Sequence, residues 1–202
     1  MKKGAVVLIF QKNLVEGNVK TRLARSIGKA KALEVYQYLL THTHQQVALL
    51  NTSALVFFEN KIDGGFLNKP NFSGVIQTGE DLGERMNNAF QQAFDWGYTE
   101  AIIIGTDCLQ VNSHILKEAL NALKTHEMVI GPAKDGGYYL LGLSRMHVTL
   151  FEDKEWSSPT VYTETINEAK KLGLHTFVLP VLSDIDTYED LGDQEKALFH
   201  IE

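Results

Sequence analysis

Three unbroken apolar runs constrain the fold more than any other feature of the sequence: Gly4-Ala-Val-Val-Leu-Ile-Phe10, Ala54-Leu-Val-Phe-Phe58 and Ala101-Ile-Ile-Ile104. None alternates apolar with polar residues. A strand with one wet face alternates, so runs of this kind belong to strands covered on both sides. Segments of helical period lie between and after them. Leu33, Tyr36, Leu40 and Val47 keep one such spacing, Leu82, Met86, Ala89, Phe90, Ala93 and Trp96 a second, and Ile115, Leu116, Ala119, Leu120 and Leu123 a third. Val75-Ile76 reads as a short strand within this series.

The second half changes rhythm. Met128-Val-Ile130 and Tyr138-Tyr-Leu-Leu-Gly-Leu143 read as strands whose connection, residues 131–137, is too short for a helical crossover. A helix is expected to open at Ser158-Pro159 and close near Gly173, followed by a last strand from His175 to Val181. Thr187-x-x-Asp190 resembles a capping box for a terminal helix, with Asp in place of the usual Glu. The sum is an α/β fold: a three-layer sandwich with a mixed, mostly parallel sheet, one antiparallel element and helices on both faces. In such sheets ligands collect at the carboxyl ends of the strands, so the loops after strands carry the functional argument.

With 202 residues the chain suits one large domain, expected to span 1–202. The balance of 19 basic against 25 acidic residues argues against nucleic-acid or membrane-surface partners, which would repel a net charge of −6. Cys108 is the sole cysteine, so no internal disulfide forms, which suits a reducing, cytoplasmic setting. The N-terminal apolar run is too short to span a membrane and is expected to be the first core strand rather than a signal. Oligomeric state has no signature here.

The loop after the first strand, Lys12-Asn-Leu-Val-Glu-Gly17-Asn-Val-Lys20-Thr-Arg22, combines three cations with a glycine. Phosphate groups need cations, free backbone N–H groups and a close chain approach, and this loop offers all three. A solvated basic loop is the alternative reading. Gly105-Thr106-Asp107 ends the Ile102-Ile103-Ile104 strand, and Asp184-Ile-Asp186 follows the last strand in the same way. Two carboxylates at neighbouring strand ends would make a site for Mg²⁺ or Mn²⁺, with substrate phosphates completing the shell. Asp107 and Asp186 are the expected ligands; Asp184 reads as a turn residue.

Asp135-Gly136-Gly137-Tyr138 is first of all a tight-turn signal. It is also readable as a glycine-floored pocket in which Asp135 meets sugar hydroxyls and Tyr138 or Tyr139 stacks. Gly79-Glu-Asp81-Leu-Gly-Glu-Arg85 opens a helix, with acids suited to the helix dipole and Arg85 free to face a phosphate. Trp156 is either a core residue or part of the acceptor wall. The histidines show no zinc spacing, and Cys108 has no base that would make it a nucleophile.

Taken in order, Lys12…Gly17-x-x-Lys20-Thr-Arg22-Leu23, Gln77-x-Gly79-x-Asp81-Leu-Gly-x-Arg85-Met86, Gly105-Thr-Asp107-Cys108, Gly131-Pro-Ala-x-Asp135-Gly-Gly-Tyr-Tyr-Leu-x-Gly142, Trp156-Ser and Asp184-Ile-Asp186-Thr-x-Glu-Asp-Leu191 resemble one bacterial group. It is the glycosyltransferase-A-like family of radical-SAM/selenodomain-associated, or arsenosugar-biosynthesis, transferases, and the likeness runs from residue 5 to about 191. The resemblance implies a nucleotide-diphospho-sugar transferase fold with a seven-stranded sheet and a Rossmann-like N-terminal half. It implies kinship with nucleotidyltransferases as well. This chain has Leu14, Glu16, Leu109 and Tyr188 where the family usually has proline, and it lacks an Asp-x-Asp motif after the central strand.

The expected activity is metal-dependent transfer from a nucleotide-diphosphate donor. Sugar transfer from a nucleotide sugar to a small-molecule acceptor comes first; nucleotidyl transfer from a nucleoside triphosphate, releasing pyrophosphate, is the alternative. A non-catalytic nucleotide-binding module is a third reading. In the catalytic schemes Lys12, Gly17, Lys20, Arg22, Asp81 and Arg85 hold the nucleotide, with Arg22 stabilising charge on the phosphates. Asp107 and Asp186 hold the metal, and Asp107 and Asp135 act in catalysis. Gly136, Gly137, Tyr138 and Trp156 line the substrate.

Overall fold

The computed structural model describes residues 3–201; Met1, Lys2 and Glu202, included in the expected 1–202 span, lie outside the described residues. Seven strands form one sheet: β1 (Lys3–Gln11), β2 (Ser53–Phe58), β3 (Phe72–Ile76), β4 (Tyr98–Ile104), β5 (Met128–Pro132), β6 (Tyr138–Leu143) and β7 (Thr176–Val178). Their spatial order is β3-β2-β1-β4-β6-β5-β7. All pairings are parallel except those of β6, which runs antiparallel to both β4 and β5. The short connection therefore produced the expected antiparallel element.

The central strands are buried on both faces, as their unbroken apolar runs require. Val7, Ile9, Ile102 and Ile104 pack on one side, with Ile115, Leu116 and Ala119 of α4 (Ser113–Ala122). Val6, Leu8, Ala101 and Ile103 pack on the other, with Met86, Ala89 and Phe90 of α3 (Leu82–Asp95) and Ala169 of α5 (Val161–Lys171). The alternation of neighbours between these two layers is the period-2 geometry of a strand. α2 (Lys29–Ala48) bridges the first layer to a small satellite core made with α1 (Thr21–Ile27) and the C-terminal segment.

β3 and β4 begin three residues earlier than the apolar runs suggested, and four further features differ from the sequence reading. The polar loop after β1 contains the short helix α1, in which only Leu23 is buried. One buried residue leaves no period to read. α5 opens at Val161 rather than at Ser158-Pro159: Ser158 Oγ closes a local turn by accepting from Thr160 N, and Pro159 packs against Gly136. β7 is only three residues long: Leu179 N still donates to Ile130 O, but the next partner on β5 is Pro132, which has no N–H and sits at an irregularity of that strand. Beyond it Leu182 still pairs with Ala133 as an isolated bridge. Finally, Thr187 and Asp190 do form a box, but it closes a single 3₁₀ turn at Tyr188–Asp190. The last helix, α6 (Asp193–Leu198), starts anew after Gly192.

Candidate functional site

At the carboxyl ends of β1 and β4 the sheet opens into a cleft of about 480 Å³. Its lining includes Gln11, Lys12, Lys20, Arg22 and Tyr36 on the first side. Gln77 and Arg85 lie across from them, and Asp107, Asp184 and Asp186 lie on the far side.

Backbone bonds set the acidic side. Ile185 N donates to the Asp107 carbonyl at 2.8 Å, fastening the segment after β7 to the loop after β4. The Cys108 thiol donates to Ser183 O, and Ser183 N donates to Gln110 Oε1. Three tethers over a few residues leave Asp107 and Asp186 little freedom to separate. Their carboxylates are about half exposed and open to the cleft, at 48% and 47%.

The ammonium of Lys20 lies between them, 2.6 Å from Asp107 Oδ1 and 3.9 Å from Asp186 Oδ1. It also donates to Ile185 O at 2.5 Å. A left-handed backbone at Lys20, φ 46° and ψ 46°, begins α1 and places this side chain in the interior, where it is 3% exposed. Arg22, two residues on, is 70% exposed and reaches Asp186 Oδ2 at 3.1 Å. Two carboxylates and a carbonyl oxygen thus converge on one positive centre. An all-oxygen set of this kind suits a hard divalent ion such as Mg²⁺ or Mn²⁺. Among the described residues no three His, Cys, Asp or Glu side chains are grouped to hold a metal unaided.

Asp184, read from sequence as a turn residue, lines the same cleft. Burial, then the negative charges of Asp107 and Asp135, push its carboxyl up to about 6. The neighbouring Cys108 thiol is pushed up to about 11 by burial, so it is a protonated thiol near neutral pH. Tyr36 was legible only as an apolar helix position. Its hydroxyl accepts from Lys12 N at 2.8 Å and meets Thr106 Oγ1 at 3.5 Å, linking the loops after β1 and β4. Burial raises its phenol far above the ordinary range. Gln11 and Gln77 were likewise not singled out for chemistry. Gln77 donates to Gln11 O and Phe57 O, closing the ends of β1 and β2. The Gln11 carboxamide meets the buried His44 ring at 2.6 Å. In sequence the signal was there: a polar residue closing each apolar run.

Of the remaining expected residues, Lys12, Arg85 and Tyr138 line the cleft, with Arg85 Nε donating to Gly79 O. Gly17, Asp81, Asp135, Gly136, Gly137 and Trp156 stand outside the lining. Asp81 caps α3, accepting from Glu84 N. Asp135 accepts from Gly137 N across its own turn. Gly136 lies so close to Pro159 that a Cβ would run into the Pro159 carbonyl oxygen, and Trp156 covers Gly83 equally tightly.

Over residues 41–158, more than half its length, the chain matches the family described as uncharacterized protein conserved in bacteria (DUF2064). The chain belongs to the DUF2064 family. The DUF2064 match takes in Asp107 and the Asp135 turn, while the 12–22 loop and Asp186 lie outside it. This DUF2064 protein is similar to a solved structure from Desulfovibrio desulfuricans, named as a candidate nucleotide-diphospho-sugar transferase. They share 32% identity over 93% of this chain and 84% of that one, with a TM-score of 0.86. It is 27% identical to the 2-phospho-L-lactate guanylyltransferase of Methanocaldococcus vulcanius, over 87% of this chain and 78% of the relative. A 4-diphosphocytidyl-2C-methyl-D-erythritol synthase from Anaerococcus prevotii shares the fold, with a TM-score of 0.64, 12% identity and coverage of 97% and 98%. The seven-stranded architecture of this DUF2064 member is thus a nucleotide-diphospho-sugar transferase fold. Among the described residues no helix is long and apolar enough to cross a membrane.

Proposed function

We propose that this transferase moves a nucleotidyl group: an oxygen of a small anionic acceptor attacks the α-phosphorus of a nucleoside triphosphate, and pyrophosphate leaves. The observation that carries the reading is the convergence of Asp107 and Asp186 on one cationic centre, beside a cleft edged by Lys12, Arg22 and Arg85. Sequence similarity to a guanylyltransferase over most of the chain supports nucleotidyl transfer above the glycosyl transfer placed first from sequence.

In this scheme Asp107 and Asp186 would hold a divalent ion, Mg²⁺ or Mn²⁺, whose chemistry there is Lewis-acid neutralisation of phosphate charge. The chain's own groups do the rest. Arg22 and Lys12, both exposed at the cleft, face the charge that develops on the leaving pyrophosphate. Arg85, held by Gly79 O, offers its remaining donors to the anionic acceptor. Tyr138 and Tyr139 wall the cleft, and Tyr139 is fixed by its bond to Pro180 O at 3.0 Å. We infer in the same way that the described residues form one domain built around the seven-stranded sheet.

Incubation with each nucleoside triphosphate, Mn²⁺ and a panel of phosphorylated and carboxylated hydroxy acids tests the reading. Pyrophosphate release with a product heavier by one nucleoside monophosphate is expected. Release of a nucleoside diphosphate from a nucleotide sugar, with the sugar on the acceptor, would instead establish the glycosyl reading, which the name of the Desulfovibrio desulfuricans protein supports.

A further inference from the structure

The Lys20 ammonium stands where the carboxylates would hold a metal. Three oxygens of the acidic side surround it: Asp107 Oδ1, Asp186 Oδ1 and Ile185 O. It therefore neutralises the pair from the interior, while the half-exposed carboxylates face the cleft. A divalent ion on the same two carboxylates would place like charges only about 4 Å apart, a strongly repulsive arrangement in a partly desolvated site. Asp184 and Asp190 add negative charge nearby, but Lys20 and the ion would still compete for the same three oxygens. One cation has to give way.

Lys20 is built to be that cation. Its charge sits on a flexible four-carbon stem that can swing, unlike the planar fork of an arginine. Its backbone is in the left-handed region, which a non-glycine residue holds only when surrounding contacts enforce it. Here the side-chain contacts are those to the acidic side, so their loss frees the side chain and favours relaxation of the turn.

We propose that Lys20 is a tethered counter-ion that a divalent ion displaces, and that the released ammonium then turns to the triphosphate. This rests on the reading of the cleft as a metal–nucleotide site. Lys20 thereby couples the two ligands: the metal must arrive for the ammonium to become available, so each ligand tightens binding of the other.

Chemical labelling of the wild-type protein separates the states. Lysine acetylation with acetic anhydride is quantified site by site by mass spectrometry, with Lys170, exposed on α5 and outside the cleft, as internal reference. Lys20 is expected to label slowly in the free protein and several-fold faster with Mn²⁺ alone. Labelling becomes slow again when Mn²⁺ and a non-hydrolysable nucleoside triphosphate are both present. As a second readout, Lys20→Met should bind Mn²⁺ about tenfold more tightly than wild type without nucleotide, because a like charge has been removed. Slow labelling of Lys20 unchanged by bound Mn²⁺ overturns the exchange and leaves nucleotidyl transfer standing. Failure of the wild-type protein to bind Mn²⁺ with or without nucleotide, measured by electron paramagnetic resonance of the free ion, overturns both.

Discussion

Two glycine-bearing loops at the ends of strands, residues 12–22 and residues 133–137, each carry lysine and an acid, yet their side chains find partners in different places. In the first, side chains reach across the molecule: Lys20 to Asp107 and Ile185, Arg22 to Asp186. In the second, the side-chain bond closes locally, Gly137 N donating to Asp135 Oδ1, and only backbone groups reach out, Lys134 N donating to Leu182 O and Gly136 O accepting from Tyr162 N. What distinguishes a loop that can do chemistry from one that only turns the chain is where its polar groups find partners. Groups engaged across a cleft can exchange those partners for a ligand, whereas groups that close a turn cannot without opening it.

The largest expected effect follows from that difference. Asp107→Asn should lower pyrophosphate release by about 1000-fold, since metal-type charge stabilisation is worth several kcal/mol. Asp135→Asn keeps an oxygen for the Gly137 N–H, so its activity should stay within about tenfold of wild type. Comparable losses in both variants, in a steady-state pyrophosphate assay, would erase the contrast and give the turn a catalytic role.

Next come the glycines. Gly136 has φ +92° and lies against the Pro159 backbone, so Gly136→Ala adds left-handed strain to a collision with an atom that cannot move aside. A loss of about 3 kcal/mol is expected, or roughly 8 °C in Tm for a chain of this size. Gly17 has a similar φ of +84°, yet its nearest neighbours are the flexible far end of Lys29, at 3.4 Å. Gly17→Ala should cost only the left-handed penalty, about 1 kcal/mol. Calorimetry on both variants ranks them, and a reversed order would mean that the 133–137 turn adapts where the 12–22 loop does not.

The sequence exposed the sheet far better than the site, for a physical reason. Double burial leaves a continuous apolar run, so β1, β2 and β4 announced themselves, and the short 131–137 link could only join antiparallel strands. Site residues carry no period. Asp107 and Asp186 could be proposed because each follows an apolar strand, but Asp184, which lines the same cleft, cannot be told from a turn residue by its sequence. Tyr36 was hidden by its helical spacing, which also describes a core residue, while Trp156, readable as core or as acceptor wall, packs on Gly83 outside the cleft lining. The inward course of Lys20 depends on one left-handed residue, which no pattern of residue types encodes.

The first loop also has a floor that the turn lacks. His44, on α2, lies beneath the end of β1 and meets the Gln11 carboxamide. Burial lowers its imidazole from the ordinary 6.5 to about 4. Above pH 6.5 folded and unfolded chains both carry it neutral, and its contribution is intact. As pH falls from 6.5 towards 4 the unfolded chain takes up a proton that the folded chain refuses, so stability is lost across that window. Between pH 7.5 and pH 5 the loss should be roughly 2 kcal/mol, and His44→Leu should remove that part of the slope. Urea midpoints at the two pH values measure it. Equal slopes in wild type and variant would remove His44 as the source of the acid sensitivity.

Arg22 gives the smallest effect and the finest distinction. Its pair with Asp186 is largely exposed, and exposed pairs contribute little, so Arg22→Gln should change stability by less than about 0.5 kcal/mol. The same exposure leaves the guanidinium available to phosphate. Nucleotide affinity should therefore fall by about tenfold at low salt, and the difference should narrow as salt screens the long-range part of the attraction. Titration of a nucleoside triphosphate at two ionic strengths, beside a thermal melt, reads both quantities. Unchanged affinity with a lowered Tm would mean that Arg22 serves only to brace Asp186. The 12–22 loop would then resemble the 133–137 turn after all, its charges closing structure instead of meeting a ligand.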